Sequence, residues 1–161
     1  SLTPPQGAQV EPVRTTEDLL QRMLALAPEQ DIVIQAAAPA DYRAQQIAPQ
    51  KLKKQGDGAL TLTFVPTPDV AKAVGEGKRD GQILVGFAAE TETAVENARK
   101  KLDSKHLDMI VANDVTQPGA GFDVDTNIAT IITHQQAESL PIMTKKALAD
   151  EILTRVLALR G

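Results

Sequence analysis

The sequence predicts an α/β domain with three layers, in which helices cover both faces of a parallel sheet. Residues 31–37, 84–89 and 109–112 are almost continuously apolar, as expected of strands that are buried on both faces. An amphipathic segment between the second and third of these runs completes a strand–helix–strand crossover, which joins parallel strands. Since domains average about 150 residues, we treat residues 1–161 as a single domain with its own core.

The N-terminal part is predicted to contain a strand and a helix. Residues 9–14 are short and partly β-branched, which favours a strand. Thr15 and Asp18 have the spacing of a capping box, which marks the start of a helix that continues to about residue 27. Apolar residues repeat at helical spacing in that segment, namely Leu19, Leu20, Met23, Leu24 and Ala27.

The C-terminal half is predicted to add three helices and one more strand. Thr67 caps a short helix with Pro68 at its first position. Residues 91–105 carry a narrow apolar stripe on an otherwise charged helix, and residues 129–133 favour a strand. Thr144 caps a final helix. One face of that helix is lined by Leu148, Ile152, Val156 and Leu159.

Residues 51–65 interrupt this alternation and predict an antiparallel hairpin that protrudes from the sheet. Its second arm alternates apolar and polar residues, so Leu60, Leu62 and Phe64 share one face. A two-stranded hairpin is at best marginally stable alone, so this face needs a partner surface. We expect residues 51–65 to be a dimerisation element, which would make the protein a homodimer.

Composition excludes several classes of protein. The net charge of −4 and only four aromatic residues argue against a nucleic-acid partner, because such proteins usually carry a basic face or stacking rings. There is no cysteine for a disulfide, a thiolate nucleophile or a Cys-ligated zinc site, and no 18-residue apolar run for a membrane span. We therefore expect a soluble, cytoplasmic protein. The chain opens on Ser1 rather than Met, so we expect it to be cut from a longer protein.

Polar clusters follow the three buried strands. They are residues 38–43, 90–91 and 113–114. In open parallel sheets, ligands bind at the carboxyl ends of strands, so three clusters in register predict a cleft there. Each cluster alone is equally compatible with ordinary turn and cap chemistry.

Two lysines stand at the edge of the apolar stripe on the predicted helix 91–105. Lys101 and Lys105 are four residues apart on one helix face, and neither has an acidic residue one turn before it. This pair favours an anion site, although cations near a helix C-terminus also complement the helix dipole. Lys51, Lys53 and Lys54 form a second basic group that a solvated edge strand would also explain. Together they predict a phosphorylated small molecule as ligand.

Other chemistries have less support. His106 and His134 lack metal-ligand spacing, and metal ligands are not identifiable. The chain has no nucleophile elbow, P-loop or G-x-G-x-x-G fingerprint. An oxidoreductase domain that binds a dinucleotide is therefore disfavoured, and a non-catalytic nucleotide-binding or dimerisation fragment remains a second alternative.

Six short motifs occur in an order that is specific when taken together. They are residues 36–43 (AAAPADYR), 51–54 (KLKK), 68–69 (PD), 85–91 (VGFAAET), 112–115 (ANDV) and 121–122 (GF). In these motifs the chain resembles bacterial phosphopantothenate-cysteine ligases. That ligase is the C-terminal domain of a bifunctional coenzyme A biosynthesis protein whose N-terminal half is a flavin-dependent decarboxylase.

The resemblance implies a Rossmann-like fold, a homodimer and a ligation reaction. The expected substrates are 4'-phosphopantothenate, L-cysteine and CTP with Mg²⁺, and the expected products are 4'-phosphopantothenoylcysteine, CMP and pyrophosphate, formed through an acyl-cytidylate. FMN is expected only in the fused decarboxylase domain. The preference for CTP over ATP rests on the resemblance to the bacterial branch.

The resemblance also implies the site residues. Those for CTP are Gln35, Ala36, Ala37, Asp41, Lys51, Phe87, Lys101 and Lys105. Lys51 is the expected catalytic residue, because its charge would stabilise the departing pyrophosphate. Ala38 and Asn113 are candidates for the side of the second substrate. The family's N-terminal segment, which holds phosphopantothenate and a catalytic Asn, has no counterpart in this sequence, so we expect the ligase activity of these residues alone to be low.

Overall fold

A mixed sheet forms the centre of the fold. The computed structural model describes residues 3–54, 56, 58–90, 94–114 and 124–161. Along the chain, its elements are α1 (Thr16–Leu26), a 3-10 turn (Ala27–Glu29), β1 (Ile32–Gln35), β2 (Tyr42–Ala44), β3 (Phe64–Pro66), α2 (Val70–Glu76), β4 (Ile83–Glu90), α3 (Ala94–Ser104), β5 (Met109–Asp114), β6 (Thr126–Asn127), β7 (Ala129–Thr133), β8 (Ala137–Ser139), β9 (Met143–Thr144) and α4 (Lys145–Arg160). The described sheet has the order β1-β4-β5-β7-β8.

The sheet is parallel on one side and antiparallel on the other. β4 lies parallel to both β1 and β5, whereas β7 runs antiparallel to β5 and β8 antiparallel to β7. The predicted α/β architecture is confirmed, and the predicted parallel sheet holds for β1, β4 and β5, whereas β7 and β8 make the whole sheet mixed. A parallel return needs a crossover connection, which is usually a helix, whereas an antiparallel return does not.

Two clusters of buried side chains lie on opposite faces of the sheet. On one face, α3 packs onto the strands through Ala98 and Leu102. On the other, α4 packs onto the strands through Leu148, Ile152 and Val156. Helices therefore cover both faces, and the predicted three-layer arrangement is confirmed.

Two residues that were expected in the core are partly exposed. Ile34 is 38% exposed because β1 is an edge strand of the described sheet, so the expectation that this strand is fully covered is wrong. Leu159 is 39% exposed because it lies in the last turn of α4, beyond Val156, the last buried residue of that helix.

The N-terminal helix is confirmed and the strand before it is not. In the capping box of α1, the Asp18 backbone N–H donates to Thr15 Oγ1 at 3.0 Å, and the Thr15 N–H donates to Asp18 Oδ2 at 3.0 Å. Residues 9–14 form no strand. Pro12 has no N–H to donate to a sheet ladder, which weakens any strand at this position.

The predicted hairpin is replaced by a different antiparallel pair. β3 pairs with β2, with Ala44 opposite Phe64 and Tyr42 opposite Pro66. Neither residues 51–54 nor residues 60–63 form a strand, so the hairpin as predicted is wrong. Its apolar face finds nothing to pack on within the described chain, and an unsupported two-stranded ribbon gains too little burial to form.

The remaining helix starts are largely as predicted. Asp69, rather than Thr67, caps α2, because its carboxylate accepts the Lys72 backbone N–H at 3.0 Å. Thr144 caps α4 as predicted, accepting the Ala147 N–H at 3.2 Å. α3 is confirmed from Ala94, and the predicted first turn at residues 91–93 lies outside the described residues. The motif residues 115 and 121–122 also lie outside them.

Candidate functional site

A cavity of about 310 Å³ lies at the carboxyl ends of β1 and β4, where the parallel part of the sheet meets α2 and α3. Its lining comprises Gln35, Ala37, Ala38, Pro39, Asp41, Thr67, Pro68, Asp69, Val70, Ala71, Gly86, Phe87, Ala88, Ala89, Lys101, Lys105, Leu107 and Ile110. This position agrees with the predicted cleft at the strand ends. Ligands in open α/β sheets collect here because side chains and backbone groups of several strands converge.

Hydrogen bonds hold the loop after β1 against the start of α2. The Thr67 backbone N–H donates to the Asp41 carbonyl at 2.9 Å, and Thr67 Oγ1 donates to the Ala40 carbonyl. Gln35 is only 6% exposed, and its Nε2 donates to the Ala37 carbonyl at 3.3 Å. The wall of the cavity is therefore fixed by backbone contacts that side-chain patterns do not reveal.

Lys105 is ion-paired across the cavity wall. Its Nζ lies 2.9 Å from Asp69 Oδ2, while Asp69 Oδ1 caps α2. Partial burial alone would raise the pKa of the Asp69 carboxyl, but the hydrogen bonds from the Lys72 N–H and from Lys105 together lower that pKa below its usual value. The expectation that Lys105 has no acidic neighbour is therefore wrong, because that neighbour lies on another helix.

A glycine in α2 allows that helix to approach the residues that follow α3. A Cβ on Gly75 of α2 would lie 2.0 Å from the Lys105 carbonyl oxygen, which is a backbone atom that cannot rotate away. His106, next in the chain, has a φ of 53°, which is uncommon for a residue other than glycine. The close contact at Gly75 thus fixes the end of α3, and with it Lys105, against α2.

Most of the predicted nucleotide residues come together in this cavity. Gln35, Ala37, Asp41, Phe87, Lys101 and Lys105 line it, and so does Ala38, a candidate for the side of the second substrate. Ala36 is exposed and is not among the lining residues, nor is Asn113, which lies one strand further along the sheet. Lys51 is exposed and also lies outside the lining. The structure of the single chain therefore does not bring the expected catalytic lysine to the cavity.

Sequence reasoning missed the start of α2 as part of the site. Residues 67–71 line the cavity. The available signal is the pair Pro68 and Asp69, which in the sequence indicates a helix start and a family motif and in the structure also forms a wall of the cleft. A helix start at a cleft exposes backbone N–H groups and is therefore a functional as well as a structural signal.

The described residues were searched for clusters of metal-binding side chains and for helices that could span a membrane. Within the described residues, three or more His, Cys, Asp or Glu side chains nowhere come together as a metal site. No helix in the same part of the chain combines the length and apolar character that crossing a bilayer requires.

Comparison with known sequences gives matches over nearly the whole chain. Residues 1–159 match the model of the DNA/pantothenate metabolism flavoprotein C-terminal domain. The chain is 47% identical over 161 residues, or 99% of its length, to the coenzyme A biosynthesis bifunctional protein CoaBC of Bacillus subtilis (strain 168). It is 41% identical over 160 residues, or 95% of its length, to the protein of the same name from Escherichia coli (strain K12). These stretches cover 39% of the length of each of those two proteins.

The fold is also found among solved structures. The C-terminal domain of a coenzyme A biosynthesis bifunctional protein CoaBC is similar with a TM-score of 0.79 and 36% identity, covering 99% of this chain and 71% of the other. By sequence and by fold, the chain belongs to the family of DNA/pantothenate metabolism flavoprotein C-terminal domains.

Proposed function

We propose that the cavity binds CTP and that the protein joins 4'-phosphopantothenate to L-cysteine in coenzyme A biosynthesis. The substrate carboxylate attacks the α-phosphorus of CTP, which releases pyrophosphate and leaves an acyl-cytidylate. The cysteine amine then attacks the acyl carbon, which releases CMP and forms the amide of 4'-phosphopantothenoylcysteine. The observation that carries this proposal is the convergence of Lys101 and Lys105 on the strand-end cavity of a chain that belongs to this family.

Each part of the cavity suits one part of a nucleotide. Backbone groups at the ends of β1 and β4, around Ala37 and Phe87, provide hydrogen bonds for a base edge. The exposed carboxylate of Asp41 accepts hydrogen bonds from ribose hydroxyls. Lys101 and Lys105 neutralise the triphosphate, which is the role of compact ammonium charges at phosphates.

Magnesium fits this arrangement as a companion of the triphosphate. Mg²⁺ is usually held by one or two carboxylates together with substrate phosphates and waters, rather than by a cage of protein ligands. The Asp69 carboxylate is occupied by Lys105 and the Lys72 N–H, and that of Asp41 faces the ribose in this proposal, so phosphate oxygens and waters would supply the ligands of the ion. When bound, the ion spreads the negative charge of the phosphates. We place FMN in the fused decarboxylase part of the longer relatives and not in this chain.

The homodimer brings Lys51 to the site in this proposal. The segment of residues 45–63 between β2 and β3 carries Lys51 together with several exposed apolar side chains. These are Ile47, Leu52, Leu60 and Leu62, with exposures from 54% to 90%. Such a segment gains order by packing against a second copy. Packing of this kind moves Lys51 over the nucleotide, where its charge stabilises the departing pyrophosphate.

A thermal-shift titration with CTP, ATP and NAD tests the nucleotide class. A ligand that binds only the folded state raises Tm with its concentration. We expect stabilisation by CTP and little by NAD. Stabilisation by NAD alone would instead support a dinucleotide-dependent oxidoreductase, and no stabilisation by any of the three would support a non-catalytic fragment.

A further inference from the structure

A buried amide side chain lies beside one of the proposed substrate residues. Asn127, in the short strand β6, is only 8% exposed. Its Nδ2 donates to Oδ1 of Asn113 on β5 at 3.0 Å, and its Oδ1 accepts the Ile128 backbone N–H at 3.0 Å. A buried amide with two such bonds has one orientation, since turning it would break both.

The backbone bond fixes the polarity of the whole pair. The Ile128 N–H can only donate, so the atom of Asn127 that faces it is the carbonyl oxygen. The NH₂ group of Asn127 therefore donates to Asn113, and the atom of Asn113 that accepts this hydrogen bond is its carbonyl oxygen. The NH₂ group of Asn113 therefore points away from Asn127 and is the hydrogen-bond donor on the other side of the Asn113 side chain.

Asn113 lies beside the cavity rather than in its lining, on the face of the sheet away from the lysines. Asn113 is in register with Ala89 of β4, which lines the cavity, and adjacent parallel strands lie about 4.8 Å apart. Alternation along β5 places Asn113 on the same face as Met109 and Val111, which pack with α4. Lys101 and Lys105 approach from the α3 face. Asn113 thus reaches the strand ends from the side opposite the proposed triphosphate.

We propose that Asn127 is a positioning residue, which holds the Asn113 amide with its N–H toward the carboxylate of the acyl substrate. This inference rests on the proposed function, because the acceptor is the oxygen that becomes the acyl carbonyl. A donor at that oxygen stabilises the bound carboxylate, whereas an amide oxygen in its place would repel it. The orientation of one amide therefore decides whether this substrate binds.

Two isosteric substitutions would turn an oxygen of residue 113, instead of the NH₂ group of Asn113, toward the substrate. Asn127→Asp removes the NH₂ group, so Asn113 has to turn and donate to the new carboxylate, which leaves its own oxygen facing the substrate. Asn113→Asp keeps the bond from Asn127 but presents a carboxylate oxygen. Gln82→Glu is the matched control. Gln82 is 5% exposed, and its Nε2 donates to the Ala27 and Gln30 carbonyls beside the amino end of β4, remote from the cavity.

The experiment measures dissociation constants for 4'-phosphopantothenate and for CTP separately, with Tm as a record of folding, on the protein in its full natural length. For Asn127→Asp and Asn113→Asp, we expect the dissociation constant of 4'-phosphopantothenate to rise tenfold or more and that of CTP to stay within twofold. We expect Gln82→Glu to lower Tm and leave both constants unchanged.

Three results would count against these claims in different ways. An unchanged 4'-phosphopantothenate constant in Asn127→Asp would overturn the positioning role, and so would an equal loss of affinity for both ligands. If Asn127→Asp does not fold, Asn113→Asp decides in the same way, because it retains the bond from Asn127. Failure of the unaltered protein to bind either ligand would overturn the proposed function itself.

Discussion

Two regions of the molecule carry similar residue types and differ in structure. One is the corner where Asp69 and Gly75, at α2, meet Lys105, just after α3, and the other is the segment of residues 45–63. Both combine lysines with apolar side chains, and both lie next to strands of the fold. At the corner, Lys105 pairs with Asp69, and Gly75 of α2 allows the backbone of Lys105, just after α3, to approach closely. In residues 45–63, the apolar side chains stay exposed and the predicted hairpin arms do not form strands. Lysines and apolar side chains therefore adopt a packed structure at the corner, where another part of the chain lies against them, and stay exposed in residues 45–63, where no other described part does.

The largest expected effect is that of crowding the corner at its glycine. Gly75→Ala places a Cβ 2.0 Å from the Lys105 carbonyl oxygen, so α2 and the end of α3 have to separate. We expect a loss of about 3 kcal/mol in the free energy of unfolding, at the upper end of the usual cost of overpacking, together with weaker CTP binding. Urea denaturation measures the first effect and calorimetry the second.

Gly77→Ala is the matched control, because a Cβ there comes no closer than 3.8 Å to its nearest neighbour, the Val74 carbonyl oxygen. Its effect on stability should be small. Equal losses for the two substitutions would show that the corner is not closely packed, and would remove the proposed restraint on Lys105.

The next largest effect is expected at Phe64, the first residue of β3, directly after the exposed segment of residues 45–63. Phe64 is 56% exposed in the single chain and shares its alternating face with Leu60 and Leu62. Phe64→Asp would place a charge in the proposed interface, and truncation of an aromatic anchor at an interface alone typically costs about 2 kcal/mol or more. We expect monomers in light scattering at concentrations where the unaltered protein is dimeric.

Leu157→Asp provides the comparison, since Leu157 is 61% exposed on α4, outside this segment. We expect it to leave the dimer intact. A dimer that persists in Phe64→Asp, or one that dissociates only in Leu157→Asp, would place the interface elsewhere and would leave Lys51 without a route to the cavity.

The smallest effect is expected from neutralising the acid at the corner. Asp69→Asn keeps the cap of α2, because Asn caps helices as well as Asp does, and loses only the ion pair with Lys105. Since Asp69 is substantially exposed, we expect a loss of about 0.2–1 kcal/mol in the free energy of unfolding at pH 7.

The effect of Asp69→Asn on the free energy of unfolding should depend on pH. The pKa of Asp69 is lowered in the folded state, so its contribution to stability is present above the unfolded pKa, about 3.9, and is lost as pH falls through the folded value. The difference between Asp69→Asn and the unaltered protein should therefore shrink below about pH 4 in denaturation curves. A difference that persists at low pH would rule out the ion pair as its cause.

Local and periodic features of the fold were predictable from the sequence. The buried runs became β1, β4 and β5, and the caps at Thr15 and Thr144 start helices as expected. These features depend on contacts within a few residues or on the burial of one continuous face. The direction of β7 and the pairing of β2 with β3 were not predictable, because they depend on which distant segments meet.

The candidate site shows the same division. The cavity at the strand ends follows from the order of elements, and Lys101 and Lys105 follow from their helical spacing. Gln35, Ala37 and Phe87 came from the family resemblance, whereas the predicted Ala36, Lys51 and Asn113 do not line the cavity. The pairing of Lys105 with Asp69 was not predicted, because the two residues are 36 positions apart and meet through the close approach of α2 to the residues that follow α3. Neither was the bond between Asn113 and Asn127, which joins β5 to β6.

Calorimetric titration of CTP and CMP into Lys101→Ala, Lys105→Ala and Lys100→Ala tests most directly whether the cavity is a triphosphate site. Lys101 and Lys105 line the cavity, whereas Lys100 is exposed on the same helix and serves as the control. A charge-assisted contact to phosphate is worth about 1.5–3 kcal/mol, so each of the first two changes should weaken CTP binding tenfold or more. Lys100→Ala should have little effect, and CMP binding should respond much less to any of the three because the outer phosphates are absent. Equal CTP affinities across the three variants would contradict the account and return the two lysines to the role of an ordinary helix end.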